Sequence, residues 1–135
     1  MKKINLGVTG CMGRMGQQII KSVKSNKNFK LVALTEIKEI NKKINGIKIS
    51  QNTLENLKKT NLIIDFTIPK CTFEILKIAT KLKKRVVIGT TGFSQKEEKS
   101  IVKFSKKNTN FESRQYEFGN KSFNVFNRNC IRRSR

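Results

Sequence analysis

The sequence predicts an α/β fold, with a doubly wound parallel sheet over residues 1–110 and a separate tail at 111–135. Two observations carry this prediction. Short apolar runs alternate with stretches whose apolar residues recur at helical spacing, and the runs are apolar nearly throughout, as in strands covered on both faces. With 135 residues, the chain is long enough for one domain with a core and too short for two full domains.

The first three elements are predicted to form a βαβ unit. Ile4–Thr9 is a strand-like run that breaks at Gly10. Gly13–Ser25 places four apolar residues at helical spacing, which predicts an amphipathic helix, and Phe29–Thr35 is a second strand. Ile44–Ile49 then contains a short alternating stretch.

The next elements repeat this alternation. Thr53–Lys59 is predicted to be a short helix with Thr53 as its N-cap, because a threonine oxygen accepts a hydrogen bond from the free amides of a helix start. Leu62–Thr67 is typical of a buried strand, which ends before Pro69. Thr72–Lys83 carries an apolar helical face.

The last two elements complete the predicted sheet. Val86–Thr90 is a further mostly apolar strand, and Ser94–Lys107 has the pattern of an amphipathic helix. Ser94 and Glu97 have the spacing of a capping box, in which each side chain accepts a hydrogen bond from the backbone amide of the other residue. Strands that are each followed by a helix predict a parallel sheet with helices on both faces.

The last 25 residues have a different character. They contain five of the seven arginines and the only tyrosine, and they show no sustained helical or alternating period. We therefore expect a basic, irregular and disordered tail over residues 111–135.

Composition restricts the function classes. The chain has 30 Lys and Arg against 9 Asp and Glu, a formal charge of +21, which favours anionic partners. The lysines are spread along the chain, so compositional drift explains them at least as well as a nucleic-acid surface does. Histidine is absent, and the three cysteines (Cys11, Cys71 and Cys130) match neither a disulfide framework nor a zinc site, so we expect no metal. No run of about 18 apolar residues and no secretion leader is visible, which predicts a cytoplasmic protein without a membrane partner.

The turn between the first strand and the first helix carries the clearest functional motif. It reads Gly10-Cys11-Met12-Gly13-Arg14-Met15-Gly16, and Glu36 follows 20 residues after Gly16 at the end of the second strand. A glycine-rich strand-to-helix turn lets backbone amides at the helix start face a pyrophosphate, while the acidic residue meets a ribose. The alternative is a glycine-rich turn that binds nothing.

Single residues of this region leave alternatives open. Cys11 lies at a predicted helix start, where the pKa of a thiol falls and a redox role is conceivable, but a small side chain beside the loop is the simpler interpretation. Arg14 either pairs with a cofactor phosphate or is a solvated residue. Glu36 suits a ribose hydroxyl and Lys38 suits a 2′-phosphate, so both NADH and NADPH are possible cofactors.

Two more polar clusters follow predicted strands. Residues 65–67 (Asp-Phe-Thr) and 89–93 (Gly-Thr-Thr-Gly-Phe) stand at or just beyond strand ends. In open α/β sheets, ligands lie in the crevice beyond the carboxyl ends of the strands. The alternative for both clusters is ordinary strand-to-helix turn chemistry.

Three motifs together resemble one enzyme family. GCMGRMG, LIIDFTIP and VVIGTTGF, in this order and at these distances, resemble the N-terminal part of the 4-hydroxy-tetrahydrodipicolinate reductase (dihydrodipicolinate reductase) family, from residue 3 to about 110. The resemblance implies a Rossmann-like domain and NADH- or NADPH-dependent reduction of a cyclic dicarboxylate in lysine and diaminopimelate biosynthesis.

The resemblance also implies roles for residues. The pyrophosphate would lie at Gly10, Cys11, Met12, Gly13, Arg14 and Met15. Glu36 would hold the adenosine ribose, Phe66 and Thr67 would border the nicotinamide, and the other nicotinamide contacts would come from Gly89, Thr90 and Thr91. The family often has an arginine after the ribose-binding acid, where this chain has Ile37, so the resemblance does not imply a strong preference for NADPH.

The resemblance stops near residue 110. The family's substrate-binding domain, with its catalytic histidine and lysine, has no counterpart in these 135 residues, so we expect cofactor binding without catalytic residues, reductase activity or the family's homo-oligomer. A back-translation of residues 111–129, read one base later, gives LKAGNMSLGINLLMFLIE, which resembles the family's next segment. We therefore expect a frame slip near Phe111, with a divergent tail as the alternative. Two other functions stay open, a stand-alone cofactor-binding module and a basic nucleic-acid-binding protein.

Overall fold

The computed structural model describes residues 2–38, 41–107, 111–118 and 121–128. The strands are β1 (Ile4–Thr9), β2 (Phe29–Glu36), β3 (Lys43–Ile44), β4 (Ile47–Gln51), β5 (Leu62–Asp65), β6 (Arg85–Ile88), β7 (Phe111–Phe118) and β8 (Lys121–Arg128). The helices are α1 (Arg14–Lys24), α2 (Leu54–Leu57), α3 (Pro69–Leu82) and α4 (Gln95–Lys107).

The described strands form one sheet in the order β3-β4-β2-β1-β5-β6-β8-β7. The five central strands β4, β2, β1, β5 and β6 run parallel. β3 pairs antiparallel with β4 at one edge, and β8 and then β7 pair antiparallel beyond β6 at the other edge. Thr9 is in register with Asp65, and Asp65 with Ile88, so the carboxyl ends of β1, β5 and β6 lie at the same edge. The predicted Rossmann-like α/β fold is confirmed.

Both faces of the parallel part of the sheet are buried, as the apolar strand runs predict. Because successive residues of a strand point to opposite faces, Val8 packs with Ile20 of α1, while Ile63 packs with Ile75 of α3 and Ile101 of α4. All of these side chains are buried. Helices on both faces therefore fix the sheet, and the strand ends hold the loops beyond them.

The predicted helix caps form. Thr53 Oγ1 accepts a hydrogen bond from Asn56 N at 3.2 Å, which starts α2. Ser94 N donates to Glu97 Oε1 at 3.0 Å and Glu97 N donates to Ser94 Oγ at 3.1 Å, so the capping box of α4 is confirmed.

Several element boundaries differ from the predictions; β5, for example, ends at Asp65 and not at Thr67. Two further differences have a clear physical cause. α3 begins at Pro69 and not at Thr72, because proline suits the first helical position, where its missing amide proton costs no hydrogen bond. The alternating stretch Ile44–Ile49 is divided into β3 and β4 by Asn45 and Gly46, which both have positive φ and form a tight hairpin turn.

The tail also differs from its prediction. Residues 111–118 and 121–128 are not irregular but form β7 and β8, and β8 pairs with β6 through the register Val87↔Val125. Strand pairing uses the backbone, which needs no side-chain periodicity, and the outer edge of β6 offers unpaired backbone groups. The Phe, Tyr and Val residues of these ranges also favour strands. The remainder of the predicted tail, residues 119–120 and 129–135, lies outside the described residues.

In the part of the chain that the structure describes, no helix combines the length and the apolar character that a bilayer crossing requires.

Candidate functional site

The loops that follow β1, β2, β5 and β6 meet at one edge of the sheet. Gly10 N donates to Thr35 O at 3.0 Å, which joins the loop after β1 to the end of β2. Phe66 N donates to Thr9 O at 3.1 Å, which joins the loop after β5 to the end of β1. Loops from the neighbouring strands β2 and β5 therefore flank the carboxyl end of β1. Open α/β sheets bind ligands in the crevice between such loops.

The glycine loop is tightly packed against its neighbours. Gly10 has φ +69°, and a Cβ atom there would lie 2.1 Å from Phe66 O. At Gly16 a Cβ atom would lie 2.4 Å from Gly10 O, so this glycine lets α1 pack on the loop itself. Gly13 is different, because a Cβ atom there would meet only Gly10 O, at 3.4 Å, and the residue is exposed. The backbone at Gly13 is thus open to an incoming group.

The start of α1 has no internal charge compensation. Its N-cap, Gly13, has no side chain to accept a hydrogen bond, and its first turn contains no acidic residue. Arg14 is exposed in this turn, and Met15 is half-buried beside it. Since the N-terminus of a helix carries a partial positive charge, this end of α1 suits an anion.

Glu36 lies against the glycine loop, as the sequence predicts for an acidic residue at the end of β2. Its Oε1 accepts a hydrogen bond from Met12 N at 2.7 Å, and its Oε2 accepts one from Ile37 N at 3.4 Å. The carboxylate is therefore fixed beside the loop, while Ile37 and Lys38 are exposed next to it.

Cys11 is a buried packing residue. It is fully buried and contacts the cluster that contains Val8 and Ile20. Burial, and then the nearby Glu36 carboxylate, raise the pKa of the Cys11 thiol to about 11. Because the thiolate is the reactive form, the structure favours the packing interpretation over a redox role.

The loops after β5 and β6 are packed into one unit. A Cβ atom on Gly89 would lie 2.1 Å from Phe66 Cε1, so the phenyl ring rests on the Gly89 backbone. Thr67 N donates a hydrogen bond to Thr90 Oγ1 at 2.9 Å, and Thr91 is exposed next to this pair. The structure thus brings together the five residues that the family resemblance assigns to the nicotinamide side.

Asp65 connects these loops through its carboxylate, a role that the sequence did not predict. It is fully buried, and its carboxylate accepts hydrogen bonds from Thr9 Oγ1 and Thr67 Oγ1, both at 2.7 Å, from Thr90 Oγ1 at 3.0 Å, and from Thr72 Oγ1. The available signal was an acidic residue at the end of an apolar strand. Because the four threonines are dispersed in sequence, their positions do not indicate that their hydroxyl groups meet at one carboxylate.

A basic pocket lies at the opposite edge of the sheet. It has a volume of about 590 Å³, and its cationic lining residues are Lys2, Lys3, Lys83, Lys84 and Arg85. Among the described residues, no group of three or more potential ligands is arranged to hold a metal ion.

Comparison with known proteins identifies the family. The family described as "Dihydrodipicolinate reductase, N-terminus" matches residues 4–116, which is most of the chain. The chain belongs to the dihydrodipicolinate reductase family. A 4-hydroxy-tetrahydrodipicolinate reductase of Pelagibacter ubique is 72% identical over 106 residues, covering 78% of this chain and 41% of that protein. A reductase of the same name from Buchnera aphidicola subsp. Baizongia pistaciae is 36% identical, covering 88% of this chain and 48% of that protein.

Solved structures agree with this assignment. The dipicolinate-bound dihydrodipicolinate reductase from Paenisporosarcina sp. TG-14 superposes with a TM-score of 0.63 at 28% identity, covering 80% of this chain and 45% of that one. D-galactose-1-dehydrogenase from Rhizobium etli, at 22% identity and a TM-score of 0.61, shares the fold. The chain spans less than half the length of the reductases that it matches.

Proposed function

We propose that this chain binds a nicotinamide dinucleotide, NADH or NADPH, as the cofactor-binding part of a 4-hydroxy-tetrahydrodipicolinate reductase. The observation that carries the proposal is the hydrogen bond between Met12 N and Glu36 Oε1, at 2.7 Å. It brings the glycine loop and the acidic residue of a dinucleotide motif together at the strand ends of a chain from this family.

The start of α1 fits the pyrophosphate. Its exposed N-cap glycine and its lack of an acidic first-turn residue leave the positive end of the helix dipole open to an anion. We assign to this group the six residues Gly10, Cys11, Met12, Gly13, Arg14 and Met15. Arg14 adds a positive charge there, whereas the buried Cys11 contributes backbone and packing alone.

Glu36 and its neighbours are assigned to the adenosine ribose. The carboxylate is held by the Met12 amide, so its remaining lone pairs are available to ribose hydroxyls. A 2′-phosphate would face this negative charge, while the exposed Lys38 would offset it. Both cofactors therefore remain within the proposal.

Phe66, Thr67, Gly89, Thr90 and Thr91 are assigned to the nicotinamide side. The phenyl ring of Phe66 on Gly89 gives this side an apolar wall, which excludes water from the ring it borders. When bound, the cofactor supplies a hydride to a ring carbon of a cyclic dicarboxylate. The role of this chain is to bind the cofactor and to orient its nicotinamide ring.

Titration tests the cofactor proposal. The chain is expected to bind NADH or NADPH weakly, and Glu36→Gln is expected to weaken NADH binding by about tenfold, the range of a hydrogen bond to a charged group. Glu55→Gln is the matched control, because Glu55 makes an exposed ion pair with Lys58 at 2.7 Å, away from the site. Calorimetry that detects no binding of either cofactor at millimolar concentration would refute the proposal.

We further infer that the reading frame slips near Phe111, close to the end of the family match at residue 116, and that these 135 residues alone do not reduce the substrate. The 72% match extends over 106 residues, and the chain contains no histidine to act as an acid. Sequencing of the intact gene tests the frame. Substrate-dependent oxidation of NADH by the purified short chain would contradict the inference, whereas activity only after the frame is restored would support it.

The basic pocket supports one alternative, a nucleic-acid-binding function. Its five cationic residues surround a concave surface at the edge of the sheet away from the glycine loop. Phosphate binding there would be strongly salt-dependent and reduced by charge reversal at Lys83 and Lys84, with no effect of Glu36→Gln. Fluorescence anisotropy with a labelled duplex separates the two functions.

A further inference from the structure

The Asp65 carboxylate is saturated by hydroxyl groups from four parts of the fold. Thr9 ends β1, Thr72 lies in the first turns of α3, and Thr67 and Thr90 belong to the loops after β5 and β6. Each carboxylate oxygen accepts two of the four hydrogen bonds. This buried group therefore joins all the loops of the nicotinamide side.

A carboxylate accepts hydrogen bonds and does not donate them, so it determines the direction of every bond in the cluster. The single proton of the Thr67 hydroxyl goes to Asp65 Oδ1 at 2.7 Å rather than to Ile68 O at 3.3 Å. The Thr90 hydroxyl donates to Asp65 Oδ2 at 3.0 Å and accepts from Thr67 N at 2.9 Å. Both the side chain and the backbone of Thr67 are thus oriented through Asp65.

Thr67 borders the glycine loop and is the least buried of the four threonines. It is half-buried, and its methyl group would lie 3.3 Å from a Cβ atom on Gly10. Since its proton is used internally, its hydroxyl offers only lone pairs to a neighbouring ligand. A ligand group that donates a hydrogen bond fits this position, and a carboxylate does not.

We propose that Asp65 is a positioning residue that makes Thr67 a hydrogen-bond acceptor and so selects the carboxamide of a nicotinamide over the carboxylate of a nicotinic acid. This inference rests on the proposed cofactor function and names the determinant of one part of that site. Asp65 itself touches no ligand and acts through Thr67.

The test compares three ligands on the full chain, by calorimetry or NMR titration. NAD⁺ carries the carboxamide, nicotinic acid adenine dinucleotide carries a carboxylate in its place, and ADP-ribose lacks the ring. The unsubstituted chain is expected to bind NAD⁺ about 3- to 10-fold more tightly than the acid analogue, the range of one hydrogen bond. In Asp65→Asn the side-chain amide donates a hydrogen bond to a threonine hydroxyl, so the proton of that hydroxyl can point to a ligand instead. The ratio of NAD⁺ affinity to acid-analogue affinity is therefore expected to fall toward 1, with ADP-ribose affinity unchanged.

Thr72→Val is the matched control, because it removes one hydrogen bond to Asp65 within α3 and leaves the Thr67 proton in place. It is expected to lower stability and to keep the ligand ratio. If Asp65→Asn does not fold, Thr67→Val is expected to lose the ratio and Thr67→Ser to retain it.

The outcomes separate the two proposals. Binding of none of the three ligands overturns the cofactor function itself. Equal affinities of the unsubstituted chain for NAD⁺ and the acid analogue, or an equal loss of the ratio in Thr72→Val and Asp65→Asn, overturn the role of Asp65 while the cofactor function stands.

Discussion

Replacing Gly10 with alanine is expected to destabilise the fold through two separate effects. The residue has φ +69°, a conformation that costs an alanine about 1–2 kcal/mol. The added methyl group would also lie 2.1 Å from Phe66 O and 2.7 Å from Phe66 C, both backbone atoms, so the loop after β1 must move away from the loop after β5. Overpacking of this kind costs about 1–3 kcal/mol.

Two other glycines isolate these effects. Gly46 has φ +78° with no atom within 4 Å of an added Cβ, so Gly46→Ala measures backbone strain alone. At Gly16 the Cβ would lie 2.4 Å from Gly10 O without a positive φ, so Gly16→Ala measures the clash alone. Alanine also lowers the conformational entropy of the unfolded chain, which offsets about 0.4–1 kcal/mol of the lost stability in each variant. The net loss in Gly10→Ala is therefore expected to be about 2–4 kcal/mol.

Thermal and urea unfolding, followed by circular dichroism, provide the measurement. For a domain of this size the expected loss corresponds to a Tm lowered by about 8–16 °C. Gly10→Ala should be the least stable of the three variants and Gly46→Ala the most stable. A Gly10→Ala variant that is no less stable than Gly46→Ala would refute the close approach between the two loops.

Four further predictions follow from other contacts. Gly89→Ala should displace the Phe66 ring and lower stability by about 1–3 kcal/mol. It should weaken the binding of NADH more than that of ADP-ribose in parallel titrations. Equal weakening of both would contradict the assignment of Gly89 to the nicotinamide side. Glu36→Gln should raise the NADPH-to-NADH affinity ratio, because it removes a negative charge beside the 2′ position, and an unchanged ratio would place the 2′ group elsewhere. In a background with both Cys71→Ala and Cys130→Ser, Cys11 should resist thiol reagents at pH 8 until the chain unfolds, because its pKa is raised to about 11. A pKa raised on folding also means that this thiol contributes stability below pH 9 and loses it between pH 9 and about 11, which unfolding at stepped pH measures.

The fold was predictable where local patterns agree with tertiary structure. The first four residues of the predicted run Leu62–Thr67 form β5, and the Ser94 and Glu97 pair formed the cap that its spacing predicts. Asn45 and Gly46 form a hairpin turn, but the alternation around them does not indicate where one strand ends and the next begins. Local sequence therefore determined most elements, because propensity, periodicity and capping agree there.

The rest depends on contacts between distant residues. Thr67 and Thr90 are predicted at strand ends, but nothing in the sequence indicates that both donate to Asp65, because β5 and β6 must first align in register. The strands at 111–118 and 121–128 likewise arise from pairing at the edge of β6, which no periodicity in those residues indicates.

The pairing of β1 with β5 also bears on how the chain acquires its fold during synthesis. Thr9 and Asp65 are 56 residues apart in sequence, and their hydrogen bond requires both parallel strands to be in place. Contacts of such separation form slowly, since a long loop must close before they stabilise anything. A nascent chain that has emerged only as far as β4 carries the complete glycine loop and Glu36, yet lacks the Phe66 carbonyl that Gly10 packs against. The glycine loop can therefore reach its final packing only after β5 and Phe66 have left the ribosome.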